Sequence, residues 1–398
     1  MMAAISAALA GAKVVLLEKK ASLGMKLLAT GGGRCNVTNT STPDEMIARF
    51  GKHGRFMQAA LAQLDSDGLR AFLRKIGVET RVEDGRLVFP VSNSARMVRD
   101  ALEKHCQSLG VKVVSGARIT ALEVRDGHVA GVKCEHCLVH ADCVILTTGG
   151  RSYPQLGSEG DGYRLAQQAG HTIVESVPAL VPLITREKWT HSLAGISVPS
   201  VSVKIDLPKQ KRAGLVGDLL FTHMGISGPA VLDMSGDVAE LLSKQSEVPI
   251  VLDLTPGTSR DEWAARMDSW RQEDGKRMLK NLLAMHLPSK LAAALVELYC
   301  KDADIRVNQL TREQRDALCR TITSLSLTVT GTAGFGEAMV TRGGVNLKEV
   351  NPKTLESMIV AGLFFAGELL DLDGPCGGYN LQWAFSSGML AGTSAARR

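Results

Sequence analysis

Glycine clusters are the features of this sequence best suited to binding chemistry. Three glycines at 31–33 precede Arg34, and glycine pairs follow at 149–150 and 377–378. Consecutive glycines cost backbone entropy and supply no side chain for packing, so they are typical of loops where a ligand approaches the backbone. Arg34 adds a planar cation that suits phosphate. The pattern predicts a phosphate-bearing ligand; a flexible surface turn is the alternative for each loop taken alone.

A carboxylate and a helix start could complete such a site. Glu18 ends the apolar run at 13–18, and in a dinucleotide-binding fold an acid at the end of the second strand accepts both ribose hydroxyls. A surface acid at a strand end is the alternative. Residues 374–380 open a helical segment, whose first N–H groups and dipole favour negative charge. Asn380 is equally suited to an ordinary N-cap.

A cluster of cysteines and histidines raises the alternative of a metal site. Cys134, His136 and Cys137 are followed by His140 and Cys143. A zinc site built on this single C-x-x-C pair would need a second pair of ligands elsewhere. Alternate side chains of a β-meander also point to opposite faces. We therefore predict no metal.

Composition excludes a disordered tail protein and a small disulfide scaffold. With 398 residues, 45% of them apolar and 22% charged, the chain has the profile of a soluble globular protein of two or three domains. Its eight cysteines are irregularly spaced, which favours a reducing cytoplasmic location over a secreted disulfide framework. No run suits a membrane span. The net charge of +5 allows an anionic partner without requiring one.

The elements at the start of the chain read as half of a βαβ unit. An alanine-rich helix at 2–11 leads into a strand at 13–18. Neither a preceding strand nor a G-x-G-x-x-G motif comes before the helix. The pattern therefore predicts a dinucleotide fold shortened at its N-terminus by roughly 15 residues.

The remaining patterns predict a sheet domain interrupted by an insertion. Helical periodicity at 54–77 and 94–109 precedes a β-meander that returns to a parallel sheet. Short strand patterns rich in valine, serine and proline begin near residue 179. We predict three parts: a Rossmann-like α/β domain at 1–178 and 346–398, a β-barrel-like insertion at 179–255 and 321–345, and a helical subdomain at 256–320.

Four motifs together resemble the BaiN/RdsA family of FAD-dependent oxidoreductases. They are GGGRCNVTN at 31–39, TTGGRSYPQLGSEGDGY at 147–163, FTHMGISGPAV at 221–231 and AGELLDLDGPCGGYNLQWAFSSG at 366–388. The resemblance covers essentially the whole chain in the same order. It implies a split FAD-binding domain with a barrel-like insertion that carries a helical subdomain.

The resemblance also implies which residues serve the site. Carried over by position, the cofactor-binding residues are Glu18, Lys19, Lys26, Gly32, Gly33, Arg34, Cys35, Asn36, Ile119, Thr148, Gly149, Gly367, Glu368, Gly378, Tyr379, Asn380 and Leu381. His223 and Cys35 are the candidates for a catalytic acid.

The activity that the resemblance implies is the reduction of a conjugated C=C bond by NAD(P)H through FAD. Uridine in large-subunit ribosomal RNA, converted to dihydrouridine, is the first candidate substrate, and a small enone such as a steroid is the second. A flavin-free protein that binds RNA or the ribosome is the third reading. The sequence predicts no oligomeric state.

Overall fold

The computed structural model describes residues 1–135, 137–208 and 214–398. The chain divides into two compact units. Unit 1 comprises Met1–Pro178 and Ala338–Arg398, and unit 2 comprises Ala179–Glu337. His136, one of the candidate metal ligands, lies outside the described residues.

The described residues form 18 strands, and those of unit 1 are interspersed with helices. They are β1 Val15–Glu18, β2 Thr38–Asn39, β3 Thr80–Glu83, β4 Leu87–Pro90, β5 Lys112–Ser115, β6 Ile119–Arg125, β7 His128–Cys134, β8 Leu138–His140, β9 Val144–Leu146, β10 Ile173–Ala179, β11 Leu183–Thr185, β12 Ser197–Ile205, β13 Leu215–Phe221, β14 Gly225–Ser227, β15 Val248–Asp253, β16 Leu325–Thr332, β17 Val340–Val345 and β18 Leu363–Phe365.

The described α-helices are α1 Met2–Leu9, α2 Met25–Ala29, α3 Pro43–Arg49, α4 Gln58–Gln63, α5 Ser66–Lys75, α6 Ala95–Ser108, α7 Asp161–Gln168, α8 Pro229–Leu242, α9 Arg260–Glu273, α10 Leu279–Leu283, α11 Ser289–Cys300, α12 Arg312–Thr323 and α13 Tyr379–Ala396. Short 3-10 helices lie at Thr30–Gly33, Gly51–Met57, Pro154–Leu156, Lys188–Leu193, Val307–Gln309, Leu347–Glu349 and Gly367–Leu369. Reciprocal capping boxes begin α9 and α12, through Ser259 with Glu262 and Thr311 with Gln314.

Unit 1 contains the parallel strand pairs of a Rossmann-type fold. β1 runs parallel to β5, with Leu16 opposite Val113, and β18 runs parallel to β9, with Phe364 opposite Ile145. The predicted meander is present as the antiparallel sheet β6–β7–β8. These pairings confirm the predicted α/β class.

The N-terminal helix packs against the last helix of the chain through small residues. Ile5 of α1 is fully buried, and α13 meets this helix at Gly388 and Gly392. A Cβ atom added to Gly392 would lie 2.2 Å from the carbonyl oxygen of Ala3. Glycine is required there because the two helix backbones approach so closely.

Unit 2 is built on a closed barrel with helices beside it. Six strands close in the order β11–β14–β13–β12–β15–β16, which confirms the predicted barrel-like insertion. Alternate residues point inward, so Val201 and Val203 of β12 are fully buried. The helices α9–α12 follow β15, and Trp263 of α9 joins the same hydrophobic core as the barrel.

The structure divides residues 338–345 differently from the predicted boundary. Ala338 and the strand Val340–Val345 lie in unit 1 rather than in the insertion. The reason is that β17 pairs with Ile173–Ala179 instead of joining the barrel.

The described residues contain neither a membrane-spanning helix nor a cluster of metal ligands. None of their helices combines the length and apolar character that crossing a bilayer requires. None of their His, Cys, Asp and Glu side chains gather in groups of three or more that could hold a metal ion. Cys134 and Cys137 form a disulfide within the meander, which the sequence analysis did not predict.

Candidate functional site

Four distant segments of unit 1 meet at the carboxylate of Glu368, which follows β18. Ser152 Oγ donates to Glu368 Oε1 at 2.8 Å, and the backbone N–H of Thr341 donates to the same oxygen at 2.7 Å. The ammonium of Lys26 pairs with Glu368 Oε2 and donates to Ser152 Oγ at 2.6 Å. We call Lys26, Ser152, Thr341 and Glu368 the Glu368 cluster.

The sequence predicted two members of this cluster and not the other two. Lys26 and Glu368 were predicted cofactor residues. Ser152 lies inside the motif at 147–163, and Thr341 precedes the glycine pair at 343–344, so a signal was present near both. Thr341 is fully buried, and its hydroxyl accepts from the backbone N–H of Ser152 at 3.1 Å. This bond holds the loop after β9 beside the cluster.

Glycines adjoin the cluster where strands end. Gly149, in the loop after β9, and Gly367, directly after β18, have φ values of 71° and 73°, a left-handed conformation that favours glycine. The last helix fixes Gly367, because its N–H donates to Ser387 Oγ at 2.9 Å and its carbonyl accepts from Trp383 Nε1 at 3.1 Å. Ligands bind at the carboxyl ends of parallel strands in this class of fold.

The loop at 31–39 contacts the start of α13 directly. With its amide oriented to satisfy both ends, Asn36 accepts from the Gly378 N–H at 3.1 Å and donates to the Thr38 carbonyl at 2.7 Å. Asn39 Nδ2 donates to the Gly377 carbonyl at 2.8 Å. The two glycine loops predicted from opposite ends of the sequence therefore form one surface.

The glycines at 31–33 present an open stretch of backbone. Gly31, Gly32 and Gly33 have φ values of 56°, 64° and 86°, and all three are exposed. A Cβ atom on Gly32 would meet nothing within 4 Å. At Gly32 the left-handed backbone conformation favours glycine, since no neighbouring atom would crowd a Cβ atom. An exposed left-handed run beside a helix N-terminus fits the phosphate and ring edges of a dinucleotide.

Asn380 has a different role from the N-cap considered above. Gly378 is the N-cap residue of α13. Asn380 closes the preceding loop, since its Oδ1 accepts from the Gly374 N–H at 2.8 Å and its Nδ2 donates to the Gly374 carbonyl at 2.8 Å. Tyr379 is buried with its ring 6.4 Å from that of Phe50, and Leu381 is half-buried.

The guanidinium of Arg34, a predicted phosphate contact, is held by protein partners. Its Nη2 pairs with Glu83, its Nε donates to Asn93 Oδ1 at 3.0 Å, and its carbon lies 4.2 Å from the Phe89 ring centre. Hydrogen bonds from Arg34 and then from Arg81 hold the pKa of Glu83 below its usual value. Arg34 therefore braces the glycine loop.

Around Glu18, charged side chains link β1 to α7. Glu18 Oε1 accepts from the backbone N–H of Lys20 at 2.8 Å. Lys19 forms ion pairs with Asp161 at 2.6 Å and with Glu159 at 3.2 Å. Lys19, a predicted cofactor-binding residue, is thus also held by protein carboxylates.

Two further predicted contacts, Ile119 and Thr148, lie in the same unit. The Ile119 carbonyl at the start of β6 accepts from Arg164 at 3.4 Å. Thr148 is exposed, and a Cβ atom on Gly162 would lie 1.9 Å from its hydroxyl oxygen. The glycine at 162 therefore lets α7 approach the loop after β9.

The structure disfavours Cys35 as a catalytic acid. Its side chain is fully buried in a hydrophobic cluster, and burial raises the pKa of the thiol to about 11 despite an opposing hydrogen bond involving Thr30. A buried thiol with a raised pKa is poorly suited to donate its proton to a substrate. His223 lies in unit 2, exposed in the turn between β13 and β14, and remains a prediction.

The chain is similar to one protein family and to characterised bacterial enzymes. The model of the HI0933-like protein Rossmann domain matches residues 1–394. A 3-dehydro-bile acid delta(4,6)-reductase from Clostridium scindens is 35% identical over 100% of this chain and 96% of its own length. A ribosomal RNA dihydrouridine synthase from Escherichia coli is 32% identical over 95% of this chain and 90% of its own.

A solved structure shows the same fold. The 3-ketosteroid-delta4-(5alpha)-dehydrogenase of Rhodococcus jostii RHA1, in complex with 4-androstene-3,17-dione, superposes with a TM-score of 0.51 at 17% identity. The superposition covers 100% of this chain and 94% of that one.

The fold and site define an oxidoreductase with a Rossmann-type cofactor domain. More specifically, the chain belongs to the HI0933-like family. This membership makes it an FAD-dependent oxidoreductase and confirms both the predicted family and the predicted enzyme class.

Proposed function

We propose that this chain reduces the C5–C6 double bond of uridine in large-subunit ribosomal RNA to give dihydrouridine, with FAD as cofactor and NAD(P)H as reductant. Each turnover would consume one NAD(P)H and one proton. The observation that supports the redox assignment is that unit 1 contains both the contact between the two glycine loops and the Glu368 cluster. The substrate follows the E. coli relative, which is a ribosomal RNA dihydrouridine synthase.

The same residues would hold the cofactor. Glu18 would accept the adenosine ribose hydroxyls. Gly149 would lie at the pyrophosphate, and Gly367 with Glu368 at the ribityl chain. Residues 378–381 would border the isoalloxazine. Bound FAD supplies the two electrons, as hydride, that reduction of a C=C bond requires.

The protein itself would stabilise charge and deliver a proton. The first turn of α13 presents N–H groups and the positive end of a helix dipole. That end would stabilise negative charge at the ring edge. His223 is the proposed proton donor to the substrate carbon that does not receive hydride, and the burial of Cys35 argues against the other candidate.

A small enone is the second candidate substrate. The C. scindens relative, a 3-dehydro-bile acid delta(4,6)-reductase, is 35% identical to this chain. Hydride and proton addition across a conjugated C=C bond is common to both substrates, so the same residues would serve either. The two candidates differ in whether a polynucleotide or a small apolar molecule occupies the site.

Mass spectrometry of ribosomal RNA tests the proposal. We expect a strain lacking the gene to lose dihydrouridine from its large-subunit RNA, and the wild-type gene to restore it. His223→Ala should restore little, whereas Cys35→Ala, which leaves the proposed donor intact, should restore most of it. An unchanged dihydrouridine content in the deletion strain would exclude this substrate.

Purified protein separates the alternatives. NAD(P)H oxidation stimulated by enones but not by RNA would favour the second candidate. Oxidised flavins absorb at ~450 nm. Protein that shows no absorbance at this wavelength after purification with added FAD would favour a flavin-free RNA-binding role.

A further inference from the structure

A cavity in the helical part of unit 2 is not used by the proposed reaction. It has a volume of about 330 Å³ and lies between α9 and α12. Helix α9 contributes Met267 and Arg271, and the first turns of α12 contribute Arg312 and Arg315. All of these residues belong to unit 2.

One of the three arginines is fixed by carboxylates. Arg315 Nη1 donates to both oxygens of Asp268 at 2.6 and 2.7 Å, and its Nε and Nη2 donate to Asp316 at 3.1 and 2.9 Å. Hydrogen bonds to Asp268 and then Asp316 raise the pKa of Arg315 above its usual value. This guanidinium and the Asp268 carboxylate neutralise each other in the cavity wall.

The other two arginines leave the cavity positively charged. Arg271 and Arg312 are exposed, and within the described ranges neither guanidinium donates a hydrogen bond or forms a close ion pair. The carboxylate of Asp316 attracts Arg312 without direct contact. The lining holds three arginines and Asp268, and Asp316 lies beside it on Arg315, so the three cations face two carboxylates and one positive charge remains in excess. The N-terminal end of the α12 dipole, capped by Thr311, adds to this positive potential.

Apolar side chains close the base of the cavity. Met267, Val307 and Leu310 are 1%, 0% and 5% exposed, so little of their surface is open to a ligand. A ligand would therefore contact chiefly the arginines, and guanidinium groups bind phosphate oxygens bidentately. The volume lies at the lower end of the roughly 300–1,000 Å³ typical of small-molecule sites.

We propose that this cavity binds the phosphate group of a nucleotide on Arg271 and Arg312. Two sources share this chemistry: a nucleotide of an RNA strand and the adenosine phosphate portion of NADPH. The site is separate from the cofactor site of unit 1. The proposal does not depend on whether the enzyme reduces uridine or an enone.

Binding measurements on the full chain test this site. The probes are a short fluorescein-labelled single-stranded RNA, followed by fluorescence anisotropy, and NADPH, followed by quenching of tryptophan fluorescence. The test variant is Arg271→Gln/Arg312→Gln, which removes only the two uncommitted cations. The matched control is Lys276→Gln/Lys290→Gln, which removes two exposed lysines of the same helical region outside the cavity.

We expect the arginine variant to bind one of the probes at least about tenfold more weakly, since each lost phosphate contact removes charge-assisted hydrogen bonds. If RNA is the source, the slope of log affinity against log salt should also fall by about 1.4 for two contacts. Arg271→Lys/Arg312→Lys should recover part of the affinity, because it keeps the charge but loses the planar fork.

The outcomes separate the sources and the proposals. Loss confined to RNA binding assigns an RNA phosphate, and loss confined to NADPH binding assigns the dinucleotide. Unchanged binding of both probes, with an unchanged melting temperature, would overturn the site. So would an equal loss in the lysine control. These binding measurements do not depend on turnover. A protein that binds the probes but forms no dihydrouridine would therefore contradict the proposed function and not the binding site.

Discussion

At the scale of single residues, Glu368 shows how a half-buried carboxylate is stabilised. Its side chain is 19% exposed and that of its partner Lys26 is 24% exposed. Ser152 and the Thr341 N–H satisfy one oxygen, and Lys26 pairs with the other. Removing one partner leaves the remaining charge poorly compensated, which costs more than the pair itself contributes.

A double-mutant cycle measures this coupling. We expect Lys26→Met and Glu368→Gln each to lower the free energy of unfolding by about 1–3 kcal/mol and to reduce bound flavin per chain. The double variant should lose less than the sum, because neither change leaves an unpaired charge there. Denaturant unfolding and flavin absorbance give the two readouts. Strictly additive losses would show that the two groups do not interact.

At the scale of secondary-structure elements, α13 organises unit 1. Its first residues contact the loop at 31–39, its middle fixes Gly367 through Trp383 and Ser387, and its last turns pack on α1. The sequence predicted a helical segment that opens at 374–380, while the close approach to α1 depends on where two glycines face the partner helix.

Two glycine substitutions in the same helix test the packing. Alanine favours a helix by about 1 kcal/mol over glycine, and both changes receive this gain. We expect Gly392→Ala to destabilise the protein by about 1–3 kcal/mol through overpacking, because its Cβ atom would meet the Ala3 carbonyl at 2.2 Å. Gly388→Ala, whose Cβ atom would lie 3.2 Å from Met2 Cβ, should be nearly neutral. Equal melting temperatures for the two variants would contradict this account.

At the scale of the whole molecule, the segments of unit 1 are joined across long sequence separations by buried polar groups. His171, after α7, is fully buried with Nε2 2.7 Å from Ser357 Oγ and Nδ1 3.2 Å from Glu349 Oε2. Burial lowers the pKa of His171 below 6.5, against the attraction of Glu349. Hydrogen bonds from Thr172 and His171 lower the pKa of Glu349, against the effect of its own burial.

These shifts predict a loss of stability in acid. Below pH 6.5 the unfolded chain takes up a proton at His171 that the folded chain resists, so the free energy of unfolding falls until the lower folded-state pKa is passed. The contribution of Glu349 is lost further down, below its usual 4.5. One histidine contributes a slope of at most about 1.4 kcal/mol per pH unit.

Denaturant unfolding between pH 7 and 5 checks this prediction. His171→Gln, which can still bond to Ser357 and Glu349, should flatten the pH dependence. His140→Gln, at an exposed position, should leave it unchanged. A wild-type protein equally stable at both pH values would contradict the prediction.

The sequence by itself determined the elements, the α/β class and the family, because hydrophobic periodicity and four motifs are local properties that survive without coordinates. It also located Lys26, Glu368 and both glycine loops. Only the tertiary structure decided what these groups contact. Arg34 turned out to brace a loop, Cys35 to be buried, and Ser152 to join the Glu368 cluster. Burial and pairing depend on which distant segments pack together, and no local pattern encodes that.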